Sequence, residues 1–286
     1  MVYNVKVIDY LYGQQVRIYS QLMGAKNYID EYYNVENDNE DIKEKNNVNT
    51  DNNSDSNIND DEYSNECLTE SSEVDSVRSI YSSTNRTINT IYKLARSNDW
   101  EYFLTLTFNP ELVDSFDYDE VTKKLSQWLN NLKKRYAPEL KYILVPELHK
   151  SGRFHFHGLL ANIGNIKLDD SGHRDESNNI IYNLGNYKLG YSTVTKINDV
   201  RRVSSYISKY ITKDLCTLTK GKRRYWSSKN LDLPNETTYV LTPEEITSMI
   251  NSFNNRIVYE KSVTNDIIDL TTTYYELDLK EVVFNG

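Results

Sequence analysis

Three of the four histidines fall within nine residues, in the stretch Glu147-Leu-His-Lys-Ser-Gly-Arg-Phe-His-Phe-His-Gly158. His155 and His157 alternate with Phe154 and Phe156. The period of two of a β-strand sets both imidazoles on one face and both phenyl rings on the other, against a core. Two imidazoles and a carboxylate on rigid strands form the donor set of a divalent-metal site with open positions. Glu147 and His149 share a side of the preceding strand, and either is a candidate third ligand. Glu147 suits Mg²⁺ or Mn²⁺, whereas a third imidazole from His149 leans towards Mn²⁺ or another transition ion. Taken alone, the alternation fits a half-buried strand with polar residues facing water equally well.

A second group of reactive side chains lies in Asp199-Val-Arg-Arg-Val-Ser-Ser-Tyr-Ile-Ser-Lys-Tyr-Ile-Thr-Lys-Asp-Leu215. Val200, Val203, Ile207 and Ile211 form an apolar stripe at helical spacing, with Asp199 at the cap position. On one continuous helix Tyr206 and Tyr210 stack four residues apart, with Lys209 and Lys213 as a parallel row. A phenol ionises near pH 10 and is a poor nucleophile at neutral pH. Neighbouring cations favour its phenolate, which makes Tyr206, Tyr210 and Lys209 candidates for nucleophilic chemistry. Further on, Lys220-Gly-Lys-Arg-Arg-Tyr-Trp226 sets four cations against two aromatics. That interleaving suits a nucleic-acid backbone with stacked bases. The nucleic-acid-binding candidates are therefore Arg201, Arg202, Lys213, Lys222, Arg223, Arg224 and Trp226.

The elements that must position these groups are readable from periodicity. Tyr142 to His149 and Phe154 to Asn162 form a hairpin around the turn Lys150-Ser-Gly-Arg153. Phe103-Leu-Thr-Leu-Thr-Phe108 is a strand ended by Asn109-Pro110, and Asp119 to Tyr136 is an amphipathic helix with Val121, Leu125, Trp128, Leu129 and Leu132 on one side. A helix capped by Ser83-Thr84 runs to about Ser97. Asp169 to Asn183 reads as a polar loop carrying His173, and Leu189 to Ile197 as a strand. Residues 3–12 and 15–21 pair around Gly13, and the tail holds a helix over Pro243 to Ser252 with strands near Arg256 to Lys261 and Thr272 to Phe284. The fold class is α+β.

The net charge of −9 opposes nucleic-acid binding until it is localised. Residues 34–77 carry fourteen acidic side chains against two lysines, which leaves the rest of the chain at +3. That run has too little apolar surface to offset chain entropy, and disorder is expected there. It divides the chain into N-terminal strands over 1–33 that join the main domain, an acidic insert over 34–77, and a domain over 78–286 with an extension from about 232. Cys67 and Cys216 form no Cys-x-x-Cys pattern, which argues for a reducing compartment and against a cysteine-based zinc finger. No stretch reads as a transmembrane span or a signal peptide.

The order of the Phe103 to Phe108 strand, the His155-Phe-His157 strand and Tyr206-Ile-Ser-Lys-Tyr210 resembles the HUH endonucleases, specifically the rolling-circle replication initiators of small phages and plasmids in their two-tyrosine form. The resemblance covers roughly residues 80–230, and Arg224-Tyr-Trp-Ser-Ser-Lys-Asn-Leu231 is similar to a segment downstream of the tyrosines in such proteins. It implies a central antiparallel sheet with flanking helices, related to the RNA-recognition and ferredoxin-like folds, whose open face carries the metal. It also implies a metal-dependent, site-specific endonuclease and strand transferase. Single-stranded origin DNA is nicked through a 5′-phosphotyrosine and later rejoined. The implied location is the cytoplasm of a bacterial host cell, with no membrane partner. A host polymerase would extend the free 3′-hydroxyl, and a host helicase would unwind, because the chain has no Gly-x-x-x-x-Gly-Lys-Ser/Thr loop. The alternatives are a rolling-circle transposase, a mobilisation relaxase, or a non-catalytic module that stacks bases on sheet aromatics. Relaxases more often carry their tyrosine ahead of the histidines, the reverse of the order here.

Overall fold

The computed structural model describes residues 2–24, 63–265 and 269–278. Two compact units emerge, one built from the two ends of the chain and the other from residues 10–12 and 73–235. The second holds both reactive groups. Its core is a seven-stranded sheet in the order β6-β7-β8-β3-β5-β4-β9. The strands are β3 (Tyr102–Leu106), β4 (Lys141–Leu148), β5 (Phe154–Ala161), β6 (Leu168–Arg174), β7 (Ile180–Leu184), β8 (Ser192–Lys196) and β9 (Trp226–Ser227). β3 is antiparallel to both β5 and β8, and β4 is antiparallel to β5. The inner order β8-β3-β5-β4, with a helix between β3 and β4, follows the ferredoxin-like pattern. A β6-β7 hairpin occupies the connection from β5 to β8. The α+β expectation holds.

That hairpin corrects the expected loop over Asp169 to Asn183. Gly172, at φ +78°, lets β6 shift register between Asp170 and His173, as a bulge requires. Asp175 then accepts hydrogen bonds from the Ser177 and Asn179 N–H groups at 2.9 and 2.8 Å, closing the turn. With both faces polar, the strands show no apolar alternation for sequence reading to detect. His173 is exposed.

The helix between β3 and β4 spans Tyr118–Arg135 (α2, counting Tyr63–Arg96 as α1). Asp117 caps it by accepting from the Asp119 and Glu120 N–H groups. Acidic residues fill its first turn and Lys133, Lys134 and Arg135 its last, in line with the helix dipole. Its buried face is the expected one, joined by Tyr118. α2 covers the sheet face that bears Phe154 and Phe156: Tyr118 meets Phe154 edge-on at 4.9 Å, and Trp226 on β9 donates to Ser126 Oγ. Phe156 is fully buried.

α1 starts well ahead of Ser83-Thr84. Thr84 Oγ1 donates to the Ile80 carbonyl at 2.7 Å and Thr87 Oγ1 to that of Ser83 at 3.0 Å. These hydroxyls bond back to the preceding turn inside the helix and do not cap it. Of the acidic run expected to be disordered, residues 34–62 lie outside the described residues and the backbone of 63–77 belongs to α1.

The other unit is a five-stranded sheet in the order β10-β1-β2-β12-β11. It pairs β1 (Tyr3–Tyr10) and β2 (Gly13–Met23) with β10 (Asn235–Tyr239), β11 (Ile257–Asn265) and β12 (Leu270–Leu277). The N-terminal strands therefore build a sheet with the tail and do not join the sheet of the histidine hairpin; β2 runs antiparallel to β12, from Gln14 opposite Leu277 to Tyr19 opposite Thr272. The expected tail helix is present over Pro243–Ser252, with a capping box between Thr242 and Glu245. No helix among the described residues is long and apolar enough to cross a membrane.

Gly158, which ends the histidine motif, shows how tightly β5 is held. A Cβ there would lie 2.1 Å from Leu144 Cδ2 and 2.8 Å from the Ile143 carbonyl oxygen on β4. The main chain of β4 cannot retreat without losing its ladder to β5. Gly158→Ala is expected to lower stability by about 1–3 kcal/mol, the usual cost of overpacking a filled core, read from the shift in a urea midpoint at constant m-value.

Candidate functional site: histidines and tyrosines on one sheet face

The register of β4, β5 and β3 assembles the polar cluster. Glu147 lies opposite His155, Val145 opposite His157, and Thr105 opposite His157 from the other side. Because paired residues share a face, Glu147, His155, His157 and Thr105 all project away from the Phe154/Phe156 core. Glu147 needs no swing to reach the histidines. Its Oε2 sits 2.7 Å from His157 Nε2, while His157 Nδ1 sits 3.1 Å from Thr105 Oγ1. A carboxylate can only accept, so the pair is satisfied with the imidazole proton on Nε2 and the Thr105 hydroxyl donating to Nδ1. His149 lies just past β4 and stacks on His155, ring centres 5.1 Å apart and 6° from parallel. The Ser151 N–H donates to His149 Nδ1 at 3.2 Å.

Burial pushes both His155 and His157 below the ordinary histidine pKa. Glu147 opposes the shift in each case, and the charge of His149 adds to it at His155. Neutral imidazoles on a rigid strand, next to a carboxylate, have the donor chemistry a hard or borderline divalent ion requires. As the side chains stand, no three His, Cys, Asp or Glu groups among the described residues converge to hold one. The Glu147 to His157 hydrogen bond takes up the Nε2 donor position. The residues fit a metal by type and by face.

The tyrosines reach the same face from a helix that differs from the expected one. α3 spans Val200–Ser208 and α4 spans Lys213–Leu218, with Lys209, Tyr210, Ile211 and Thr212 between them. Asp199 caps α3 as expected, accepting from the Arg202 N–H at 3.1 Å. Ser204 and Ser208 bond back to the carbonyls of Val200 and Ser204, and the last turn tightens through Lys209 N–H to Tyr206 O and Ile211 N–H to Ser208 O. Thr212 then caps α4 by accepting from the Leu215 N–H. Serine and threonine compete for backbone partners, and here they split one apolar stripe into two helices. Ile207, Ile211 and Leu215 still reach the core, all buried.

This break sets the geometry of the phenols. Tyr210 lies flat on His157, centroids 3.7 Å apart and 10° from parallel. Tyr206 meets Tyr210 edge-on rather than stacked, at 5.4 Å and 86°, and the Tyr210 hydroxyl donates to Tyr206 Oη at 2.8 Å. Phe103 on β3 completes the row, 5.9 Å from the His157 ring and 5.6 Å from that of Tyr206. Tyr206 is 47% exposed. Burial raises the Tyr210 hydroxyl well above the usual phenol pKa, aided by its bond to Tyr206 and the charges of Tyr206 and Glu147. Lys209 lines a cleft of about 430 Å³ together with Tyr206, Phe103 and Arg202.

The remaining candidates divide. Arg202 and Lys213 are exposed on α3 and α4, and the side chain of Arg201 lies outside the described residues. Trp226 is 4% exposed, wedged against Phe156 at 5.3 Å and bonded to Ser126. It is a core residue, which corrects its reading as a base-stacking surface. Arg224 is also structural, holding Ser83 Oγ at 2.6 Å and the Cys216 carbonyl at 2.9 Å. Lys222 pairs with Asp119 at 2.7 Å, and Arg223 lies over the Trp226 ring. Both line a recess of about 500 Å³ that shares no residue with the cleft at Tyr206.

Thr105 and Phe103 entered the sequence reading only as parts of an apolar strand. Alternation along β3 already placed the two on one face, but only the pairing of Thr105 with His157 gives that face a role.

No curated protein and no solved structure matches the chain. Residues 101–215 match the protein-family model described as Replication-associated protein ORF2. The segment that holds the Phe103 to Phe108 strand, the histidine hairpin and both tyrosines is thus similar to replication-associated proteins of the initiator type.

Proposed function

We propose that the protein is a rolling-circle replication initiator that nicks and rejoins single-stranded origin DNA through a 5′-phosphotyrosine on Tyr206. The observation that carries this reading is the chain of contacts from Glu147 through His157 and Tyr210 to the hydroxyl of Tyr206. It lies within the replication-associated segment. His155, His157 and Glu147, with His149 as the alternative to Glu147, would hold Mg²⁺ or Mn²⁺, which when bound withdraws charge from the scissile phosphate.

Tyr206 is the exposed phenol and the one that receives a hydrogen bond, two properties a nucleophile needs. Donation from Tyr210 and the nearby Lys209 ammonium both favour negative charge on Tyr206 Oη. Tyr210, kept protonated by burial, acts first as donor. Tyr206 Oη forms a bond to phosphorus, the bond from phosphorus to the 3′-oxygen breaks, and that oxygen takes up a proton. The 5′-phosphate stays on Tyr206, and the free 3′-hydroxyl is a primer for a host polymerase, with unwinding left to a host helicase. Attack by a 3′-hydroxyl on the phosphotyrosine reverses the chemistry without ATP, and Tyr210 is the acceptor for a second strand end.

Thr105 supports either tautomer of His157, because its hydroxyl both donates and accepts. A ligand through Nε2 needs the proton on Nδ1, where Thr105 Oγ1 receives it. Thr105→Val, which removes the hydroxyl at constant shape, is expected to weaken Mn²⁺ binding about 10- to 100-fold by titration calorimetry, and Thr105→Ser to restore most of it.

The proposal is tested by incubating the protein with 3′-end-labelled single-stranded DNA from its own replicon and Mn²⁺, followed by denaturing electrophoresis. Label retained on the protein, and lost with EDTA, supports it. Two free DNA fragments would instead indicate a phosphodiesterase that uses water.

A further inference from the structure

The cleft beside Tyr206 is the largest feature of this face that the chemistry above leaves unused. It lies between the end of β8, the connection Ile197 to Asp199, and the side of α3 that carries Arg202, Tyr206 and Lys209. The half-exposed ring of Phe103 lines it, edge-on to Tyr206. Three of the lining side chains are cations, Lys196, Arg202 and Lys209, and one is a carboxylate, Asp199, which is engaged as the α3 cap. A volume of about 430 Å³ falls within the range of small-ligand sites. An aromatic platform edged by cations is the chemistry that holds one nucleotide of a single strand, with the base on the ring and the phosphates on the ammonium and guanidinium groups.

We infer that this cleft is a nucleotide subsite of single-stranded DNA in which the base next to the scissile phosphate stacks on Phe103 and its backbone is held by Arg202 and Lys196. The inference rests on the nicking function proposed above and adds the recognition of a flanking nucleotide to it. It gives the Phe103 strand motif a task separate from that of Thr105: alternate residues on the same strand face serve the base and the histidine. Tyr206 belongs to both the cleft and the phenol pair, so a nucleotide seated there brings its phosphate to the nucleophile.

The test uses the full chain in EDTA with fluorescein-labelled (dT)12, measured by anisotropy over a range of salt. Phe103→Ala is expected to weaken binding about 5- to 100-fold, the loss of one stacked base, with the slope of log affinity against log salt unchanged. Phe103→Trp, which keeps a stacking face, retains wild-type affinity within about threefold. Arg202→Ala reduces the magnitude of the salt slope by about one. Far-ultraviolet circular dichroism establishes that each variant is folded, and should Phe103→Ala not fold, the Arg202→Ala slope decides alone. Affinity of folded Phe103→Ala within twofold of wild type, or an unchanged slope for Arg202→Ala, overturns the subsite. Because EDTA prevents cleavage, the two readings separate. Weakened binding in Phe103→Ala, together with a wild-type protein that forms no adduct with Mn²⁺, keeps the cleft and loses the nickase, and the opposite pattern keeps the nickase alone.

Discussion

Tyr206→Phe is expected to reduce covalent DNA attachment to background, by a factor on the order of 10⁴ or more, as removal of a sole nucleophile does. The substitution deletes one oxygen and leaves the ring against Phe103 and Tyr210, so binding of single-stranded DNA without metal remains near wild type. Tyr210→Phe gives a different result. It keeps the stack on His157 and removes only the hydrogen bond donated to Tyr206 Oη. One such bond contributes on the order of 1 kcal/mol, so the first cleavage slows about fivefold, measured as single-turnover adduct formation. Transfer to a second strand end, which needs a second phenol, is lost. The two variants thus separate nucleophile from donor. Equal loss of the first cleavage in both would mean that the hydroxyl pair acts as a unit.

The second large effect is expected at His157. His157→Ala removes the ring on which Tyr210 lies and one of the proposed ligands, and it leaves Glu147 without its 2.7 Å partner. Mn²⁺ affinity falls by more than about 100-fold, beyond the range of a supporting contact such as Thr105, and adduct formation falls at least in proportion. His149→Ala discriminates between the two candidates for third ligand. If Glu147 fills that role, the loss of His149 removes only its stack on His155 and changes Mn²⁺ affinity less than about tenfold, whereas Glu147→Gln reproduces most of the His157→Ala loss. The reverse pattern assigns the ligand to His149.

The histidine hairpin, α2 and the tail helix were legible because each depends on one local signal. Alternation placed Phe154 and Phe156 inward, helical spacing placed Val121 to Leu132 inward, and Thr242 with Glu245 marked a helix start. What was illegible depended on competition or on distant partners. The stripe from Val200 to Ile211 has the period of a single helix, and nothing in that period reveals that Ser204 and Ser208 bond back to carbonyls and that Thr212 caps a new helix. Yet that break turns Tyr210 flat onto His157. The run Lys220 to Trp226 has the composition of a nucleic-acid surface, but Trp226 is claimed by Phe156 and Ser126, residues 70 and 100 positions away along the chain. The pairing of Thr105 with His157 likewise depends on a sheet register that crosses the intervening helix.

The residue that carries the DNA decides the mechanism most directly. Trypsin cuts after Arg202, Lys209 and Lys213 and so separates the two phenols into the peptides Val203 to Lys209 and Tyr210 to Lys213. Nuclease digestion of the adduct, then trypsin and mass spectrometry, is predicted to find a residual nucleotide on the Val203 to Lys209 peptide at Tyr206. A nucleotide on Tyr210 would reverse the order of the tyrosines. Cleaved DNA with both peptides unmodified would contradict the phosphotyrosine mechanism itself.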